Sequence, residues 1–149
     1  MGLIMKALII FDSNLGNTKK IAETIAKELG NETKSVSVSD FDIKDLKGID
    51  LIIAGSPIIA WKPTEKMDKF LSGLSKDQLT GIKATSFDTR VKIFHGDAAK
   101  KISQKLAEAG AEIVGKPQAF FVRGKEGPLF DGEIEKAIEW VKSVKTKLE

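Results

Sequence analysis

Asp12-Ser13-Asn14-Leu15-Gly16-Asn17-Thr18 stands between an apolar run, Met5 to Phe11, and a stretch with helical periodicity. Ser13, Asn14, Asn17 and Thr18 each carry a hydroxyl or an amide, and Gly16 admits a backbone conformation that other residues resist. The first turn of a helix leaves its N–H groups without partners, and an anion satisfies them with the help of the helix dipole. The segment therefore predicts a phosphate cradle. It contains no lysine or arginine before Lys19, so neutral donors and dipoles rather than counter-charge would hold the anion. Taken alone, the same residues also describe a turn with a helix cap supplied by Asn14 or Thr18. Lys19 falls too late for a P-loop, which sets a nucleoside-triphosphatase aside.

The elements that must position this loop follow from the hydrophobic pattern. Met5 to Phe11, Lys34 to Val38, Ile49 to Gly55, Lys83 to Asp88 and Pro117 to Val122 are short apolar or β-branched runs that suit five strands. Amphipathic helices lie between and after them. Thr18, Ile21, Ala22, Ile25, Ala26 and Leu29 repeat at helical spacing, and Gly30-Asn31 ends the run. Similar stripes pass through Met67, Phe70, Leu71 and Leu74, through Ala99, Ile102, Leu106 and Ala109, and through Ile134, Ala137, Ile138, Val141 and Val144. Trp140 falls off the last stripe in this reading and is expected to pack at a boundary. Strands alternating with helices predict an α/β fold, a parallel sheet with helices on both faces. Ligands bind such a sheet beyond the carboxyl ends of its strands, where the winding direction switches. Residues 12–18, 56–63 and 88–97 are expected at that edge.

Composition narrows the function classes. The chain has 149 residues, 42% of them hydrophobic and 30% charged, which suits one domain spanning residues 1–149 with a sizeable core. With no cysteine there is no thiolate metal site and no iron–sulfur cluster, so redox chemistry has to come from a bound cofactor. The apolar runs are too short to cross a bilayer and no secretory leader is visible, so a cytoplasmic protein without membrane insertion is expected. The net charge of +3 comes from lysines interleaved with glutamates along helices, the pattern of solvated faces rather than of a nucleic-acid stripe.

Nearly the whole chain resembles the flavodoxin family in its short-chain form. Ser13-Asn14-Leu15-Gly16-Asn17-Thr18 is similar to the family's phosphate loop, a hydroxyl-rich turn closing in Gly-Asn-Thr. Gly55-Ser56-Pro57-Ile58-Ile59-Ala60-Trp61 resembles the segment that lays a tryptophan against the flavin ring, and Gly127-Pro128-Leu129 with Asp131-Gly132-Glu133 is similar to the family's C-terminal end. The resemblance implies a flavodoxin-like three-layer sandwich, a five-stranded parallel sheet of order 2-1-3-4-5 with helices on both faces. It implies a noncovalent FMN cofactor, a monomer, and single-electron shuttling between redox partner proteins rather than catalysis by side chains. The basic balance suggests partners with acidic patches.

For that ligand, Pro57, Ile58, Ile59 and Ala60 would close around the ring edge and Trp61 would form one wall. Family members often place a tyrosine on the opposite face, but this chain has none. Phe94, Arg90 and His95 are the candidates there, with Phe94 favoured. Asp88 and Thr89 are expected to bond the ribityl chain or the pyrimidine edge. Where the family has a glycine after the stacking aromatic, this chain has Lys62. Lys62 and Arg90 would favour the anionic, fully reduced flavin and make its potential less negative than the family norm. Two other classes were weighed. A flavin-dependent quinone or haem-precursor oxidoreductase on the same fold would need a substrate pocket built by residues 88–97. A signalling receiver would need an aspartate where Gly55-Ser56 stands.

Overall fold

Ala7–Phe11 form strand β1, and every residue of it is buried. A strand with no polar face needs cover on both sides, and the rest of the chain supplies it. The computed structural model describes residues 5–30, 32–93, 96–124 and 126–148. After β1 come helix α1 (Asn17–Leu29), β2 (Thr33–Ser37), a 3₁₀ turn (Ile43–Leu46), β3 (Leu51–Pro57) and α2 (Glu65–Ser72). They are followed by β4 (Lys83–Val91), α3 (Ala98–Glu108), β5 (Glu112–Ile113), β6 (Gln118–Val122) and α4 (Glu133–Leu148).

The strands pair in parallel in the order β2-β1-β3-β4, with β5 and β6 both paired to β4 on its far side. This is the expected 2-1-3-4-5 sheet with its fifth position divided. Lys83 and Ala84 pair with β5, whereas Phe87 to Val91 pair with β6. Between the two pieces lie Gly115, at φ 75°, and Pro117, which has no N–H for a ladder. The expected strand began at Pro117, so the Glu112–Ile113 piece was missed. β4 also runs past Asp88, which puts Thr89, Arg90 and Val91 on the strand rather than in the following loop.

Alternation along the strands divides the core in two. Ala7, Ile9, Phe11, Leu51, Ile53 and Phe87 face α1 and α4, while Leu8, Ile10, Ile52, Ala54 and Ala84 face α2 and α3. Trp140 corrects the sequence reading of α4. With Ala137, Val141 and Val144 it completes an i, i+3, i+4, i+7 stripe, and it is buried. Its ring meets Phe87 and Phe120 edge-on at centroid distances of 6.2 and 6.0 Å, and its indole N–H donates to the Lys116 carbonyl at 3.2 Å. The outer edge of β6 is also closed. Phe121 N–H donates to the Glu133 carboxylate at 2.6 Å, and Phe130 N–H donates to the Phe121 carbonyl at 3.0 Å. Among the described residues no helix is long and apolar enough to cross a membrane.

One buried polar atom in this core has no hydrogen-bond partner among the described residues, the hydroxyl of Thr85 on β4. A buried hydroxyl left unpaired carries its full desolvation cost. Thr85→Val replaces it with a methyl of similar shape and is expected to stabilise the protein by about 1 kcal/mol. The measurement is the urea midpoint at unchanged slope, and a midpoint that falls would contradict this account of Thr85.

Candidate functional site

The carboxyl ends of β1, β3, β4 and β6 open onto a cleft of about 480 Å³, within the ~300–1,000 Å³ usual for small-molecule sites. The first loop lines it with Ser13, Asn14, Leu15, Asn17 and Thr18, and the segment after β3 with Pro57, Ile58, Ile59 and Ala60. Thr89, Arg90 and Val91 from β4 and Val122 from β6 complete it.

The first loop turns into α1 at Gly16, whose φ of 92° suits glycine and strains other residues. Ser13 folds back over the turn, its Oγ accepting from Gly16 N–H at 3.1 Å and Lys19 N–H at 3.3 Å. The N–H groups of Asn14, Leu15, Asn17 and Thr18 have no hydrogen-bond partner among the described residues. No side chain caps the helix at Gly16, so neither Asn14 nor Thr18 plays the cap role that the loop's composition also allowed. Thr18 instead shares a 2.8 Å bond with the hydroxyl of Thr89, both residues buried. Asn17 spends its amide on the Glu126 carbonyl at 3.4 Å, which draws the C-terminal loop over the start of α1. What remains free in the loop is backbone N–H, the donor type an anion nest uses.

The second segment closes in a two-residue hairpin. Ile59 N–H donates to the Lys62 carbonyl at 2.8 Å and Lys62 N–H returns the bond at 3.1 Å. Ala60 and Trp61 at its tip have φ of 50° and 71°, a pairing that Asn-Gly adopts readily and that costs these residues about 1 kcal/mol each. The positive φ angles fall one and two residues ahead of Lys62, which stands where the family has its glycine. Outside contacts hold the hairpin in place. Ile58 N–H donates to the Thr89 carbonyl at 3.1 Å, and Lys101 Nζ reaches the Trp61 carbonyl at 3.4 Å. That carbonyl lies against Gly96 so closely that a Cβ on Gly96 would overlap it. Trp61 has its side chain 51% exposed and, like Lys62 and Gly16, is not among the lining residues.

Two buried polar networks fix the strand ends beneath the cleft. Thr64 caps α2 by accepting from Met67 N–H at 3.2 Å, and its hydroxyl donates to the Asp12 carboxylate at 2.5 Å. Ser56 accepts from Thr64 N–H at 3.0 Å, so the ends of β1 and β3 are tied to one helix start. On β4, Asp88 has no exposed surface and does not line the cleft. Its carboxylate receives Arg90 Nε at 2.8 Å, Arg90 Nη2 at 2.5 Å and Ala99 N–H at 2.9 Å. Arg90 also reaches Asp97, the cap of α3, at 3.2 Å. Burial pushes the Asp88 carboxyl above the ordinary carboxylate range, against the pull of the guanidinium and the Ala99 N–H. The same bonds hold Arg90 above its usual value. Arg90 therefore arrives in the cleft with two carboxylates, and its charge is largely met before any ligand enters. The expected bias toward an anionic flavin then rests on Lys62.

Of the residues singled out from sequence, Ser13, Asn14, Leu15, Asn17, Thr18, Pro57, Ile58, Ile59, Ala60, Thr89 and Arg90 come together around one cleft. Phe94 and His95 lie outside the described residues. Val91 and Val122 were missed. Their signal was parity: each ends a strand whose extent past Asp88, or whose pairing in register with Val91, the apolar pattern alone did not give.

Comparison with known proteins bears on the whole chain. A family model for the flavodoxin domain matches residues 8–125. An uncharacterised protein of Methanocaldococcus jannaschii is 35% identical over 94% of this chain and 98% of its own length. A flavodoxin of Maridesulfovibrio salexigens is 31% identical over 74% of this chain and 82% of its own. Among solved structures, oxidised flavodoxin 2 of Bacillus cereus superposes with a TM-score of 0.84 at 24% identity, over 95% of this chain and 99% of that one.

The Asp88 network makes a stability prediction. Asp88→Ala takes the bidentate carboxylate from a mostly buried guanidinium and removes the acceptor of Ala99 N–H. Breaking a buried pair from one side is expected to cost about 3 kcal/mol, read as a drop in the urea midpoint. A change below about 1 kcal/mol would mean that Arg90 finds equivalent partners elsewhere.

Proposed function

The chain belongs to the flavodoxin family, and from that premise we propose that it binds FMN noncovalently and passes electrons between partner proteins. The observation that carries the proposal is the set of N–H groups at Asn14, Leu15, Asn17 and Thr18, which have no partner among the described residues and lie at one end of the cleft. A phosphate suits such a nest because each N–H donates in a fixed direction and the α1 dipole adds to the attraction. The other end is apolar: Ile58, Ile59 and Ala60 on one side, Val91 and Val122 further round, a lining that suits a flat ring system. Bound flavin supplies the redox chemistry, for which the side chains of this protein have no substitute.

The protein's own residues divide the remaining tasks. Thr18 and Thr89, bonded to each other, fix the phosphate loop against β4. The Asp12–Thr64–Ser56 network keeps the first and second loops at constant separation. Ile58, anchored on the Thr89 carbonyl, holds the hairpin at the cleft, where its backbone would be available to the ring edge of a bound flavin. Orientation and burial of this kind are how a protein sets a cofactor's potential without supplying an acid or base.

The phosphate nest is testable by subtraction. FMN added to the purified protein is expected to bind with quenched flavin fluorescence, and riboflavin, which lacks the phosphate, to bind at least about tenfold more weakly. Gly16→Ala meets no atom within 4 Å but strains a residue at φ 92°. It is expected to weaken FMN binding several-fold and leave riboflavin binding almost unchanged. Failure to take up FMN would remove the proposal, and equal affinity for the two flavins would remove the phosphate role of the loop.

A further inference from the structure

Among the described residues five large hydrophobic side chains are exposed, and four of them share one edge of the sheet. Leu15 follows β1, Ile59 and Trp61 follow β3, and Ile93 follows β4, 68% exposed. Large apolar side chains gathered at one site, rather than scattered singly, mark an interaction surface. Lysines predominate among the exposed charges of the same loops and of the helix starts that follow them. Lys19, Lys62, Lys92, Lys100 and Lys101 are all exposed there. Of the carboxylates on these loops, Asp12 and Asp88 are buried in the networks beneath the cleft. Asp97 is exposed but occupied by Arg90 and by the Lys100 N–H at the start of α3. Glu65 in the first turn of α2 and Glu126 beside Asn17 are exposed as well, so the five lysines outnumber the exposed carboxylates at this edge without standing alone.

We propose that this apolar rim with its lysine collar docks a redox partner protein that presents an apolar centre ringed by carboxylates. The inference rests on the reading of the cleft as the redox-cofactor site, which is what gives a partner reason to dock there. Apolar contact at the centre supplies affinity, and opposite charge at the rim steers encounter and sets orientation. Trp61 is the anchor. Its backbone is seated against Gly96 and Lys101 while its indole stays half in water, so contact with a partner gains area at little further ordering cost.

The test uses the Trp61 indole N–H resonance, assigned with Trp61→Phe, during titration with an acidic electron carrier, rubredoxin, and separately with basic cytochrome c. The expected result at about 0.01 M salt is a shift of that resonance with rubredoxin and none with cytochrome c, the affinity falling about tenfold by about 0.15 M. Lys92→Glu/Lys100→Glu lies outside the cleft lining, and a glutamate at position 100 can complete a capping box with Asp97. This variant is expected to weaken rubredoxin binding at least about tenfold at low salt while FMN uptake is unchanged. Preference for cytochrome c, no shift with rubredoxin, or indifference to the double substitution would overturn the docking proposal. Because the indole readout works with or without flavin, a protein that docks rubredoxin but stays colourless with FMN would instead remove the cofactor reading.

Discussion

The site depends on the burial of both faces of β1 and β3. Every residue of Ala7–Phe11 and of Leu51 to Ala54 is packed under a helix layer, and these stretches carry no polar side chain. Polar chemistry is displaced to the point where these strands emerge, and there each buried polar group must find a partner. The result is three ties of different kinds. Asp12, Thr64 and Ser56 form a hydroxyl–carboxylate chain, Asp88 and Arg90 form an ion pair with a helix start, and Thr18 and Thr89 share one bond. The first and third span 52 and 71 positions, and the second ties the end of β4 to the start of the next helix. The loops that carry the ligand groups are therefore placed by satisfied hydrogen bonds rather than by loop stiffness, an arrangement that keeps a cleft preorganised.

The fold was legible because its signals are local and repeated. Strand-length apolar runs, helical stripes with Gly stops and the order of the three loops all state the same architecture, and the sheet follows from chirality and burial. The discrepancies are places where pairing rather than propensity decides. Glu112–Ile113 is a strand only because Lys83 and Ala84 lie beside it. Thr89 and Arg90 continue β4 because β6 runs parallel to them, and nothing in their side chains announces it. Trp140 read as peripheral because the stripe was drawn through Ile138. A one-position shift through Ala137, Trp140 and Val141 describes the same helix and buries the larger side chain.

The candidate site was legible to a different degree at its two ends. At the phosphate end, residue types are constrained by backbone geometry, so glycine at the turn and small polar residues around it are visible in one dimension. At the ring end the determining contacts are tertiary. No rule of sequence gives Ala60 and Trp61 positive φ, since turn chemistry favours Asn and Gly there. The hairpin exists because Thr89 bonds Ile58 and because Gly96 admits the Trp61 carbonyl, and both partners lie more than thirty positions away. Asp88 shows the converse. Its place at a strand end made it a ligand candidate, whereas its burial against Arg90 and Ala99 makes it a support for the strand that carries Thr89 and Arg90.

These ties also separate two electrostatic environments that one set of lysines would otherwise merge. Inside the cleft the first loop offers neutral N–H donors, and Arg90 is compensated by Asp88 and Asp97, so the lining carries little net charge. Outside it, exposed lysines outnumber exposed carboxylates at the strand ends and helix starts. Exposed charges are screened over about 8–10 Å at physiological salt, so they act on an approaching molecule more than on the apolar interior of the cleft. The first loop therefore depends on geometry rather than on a cation, through the turn at Gly16 and the bond between Thr18 and Thr89.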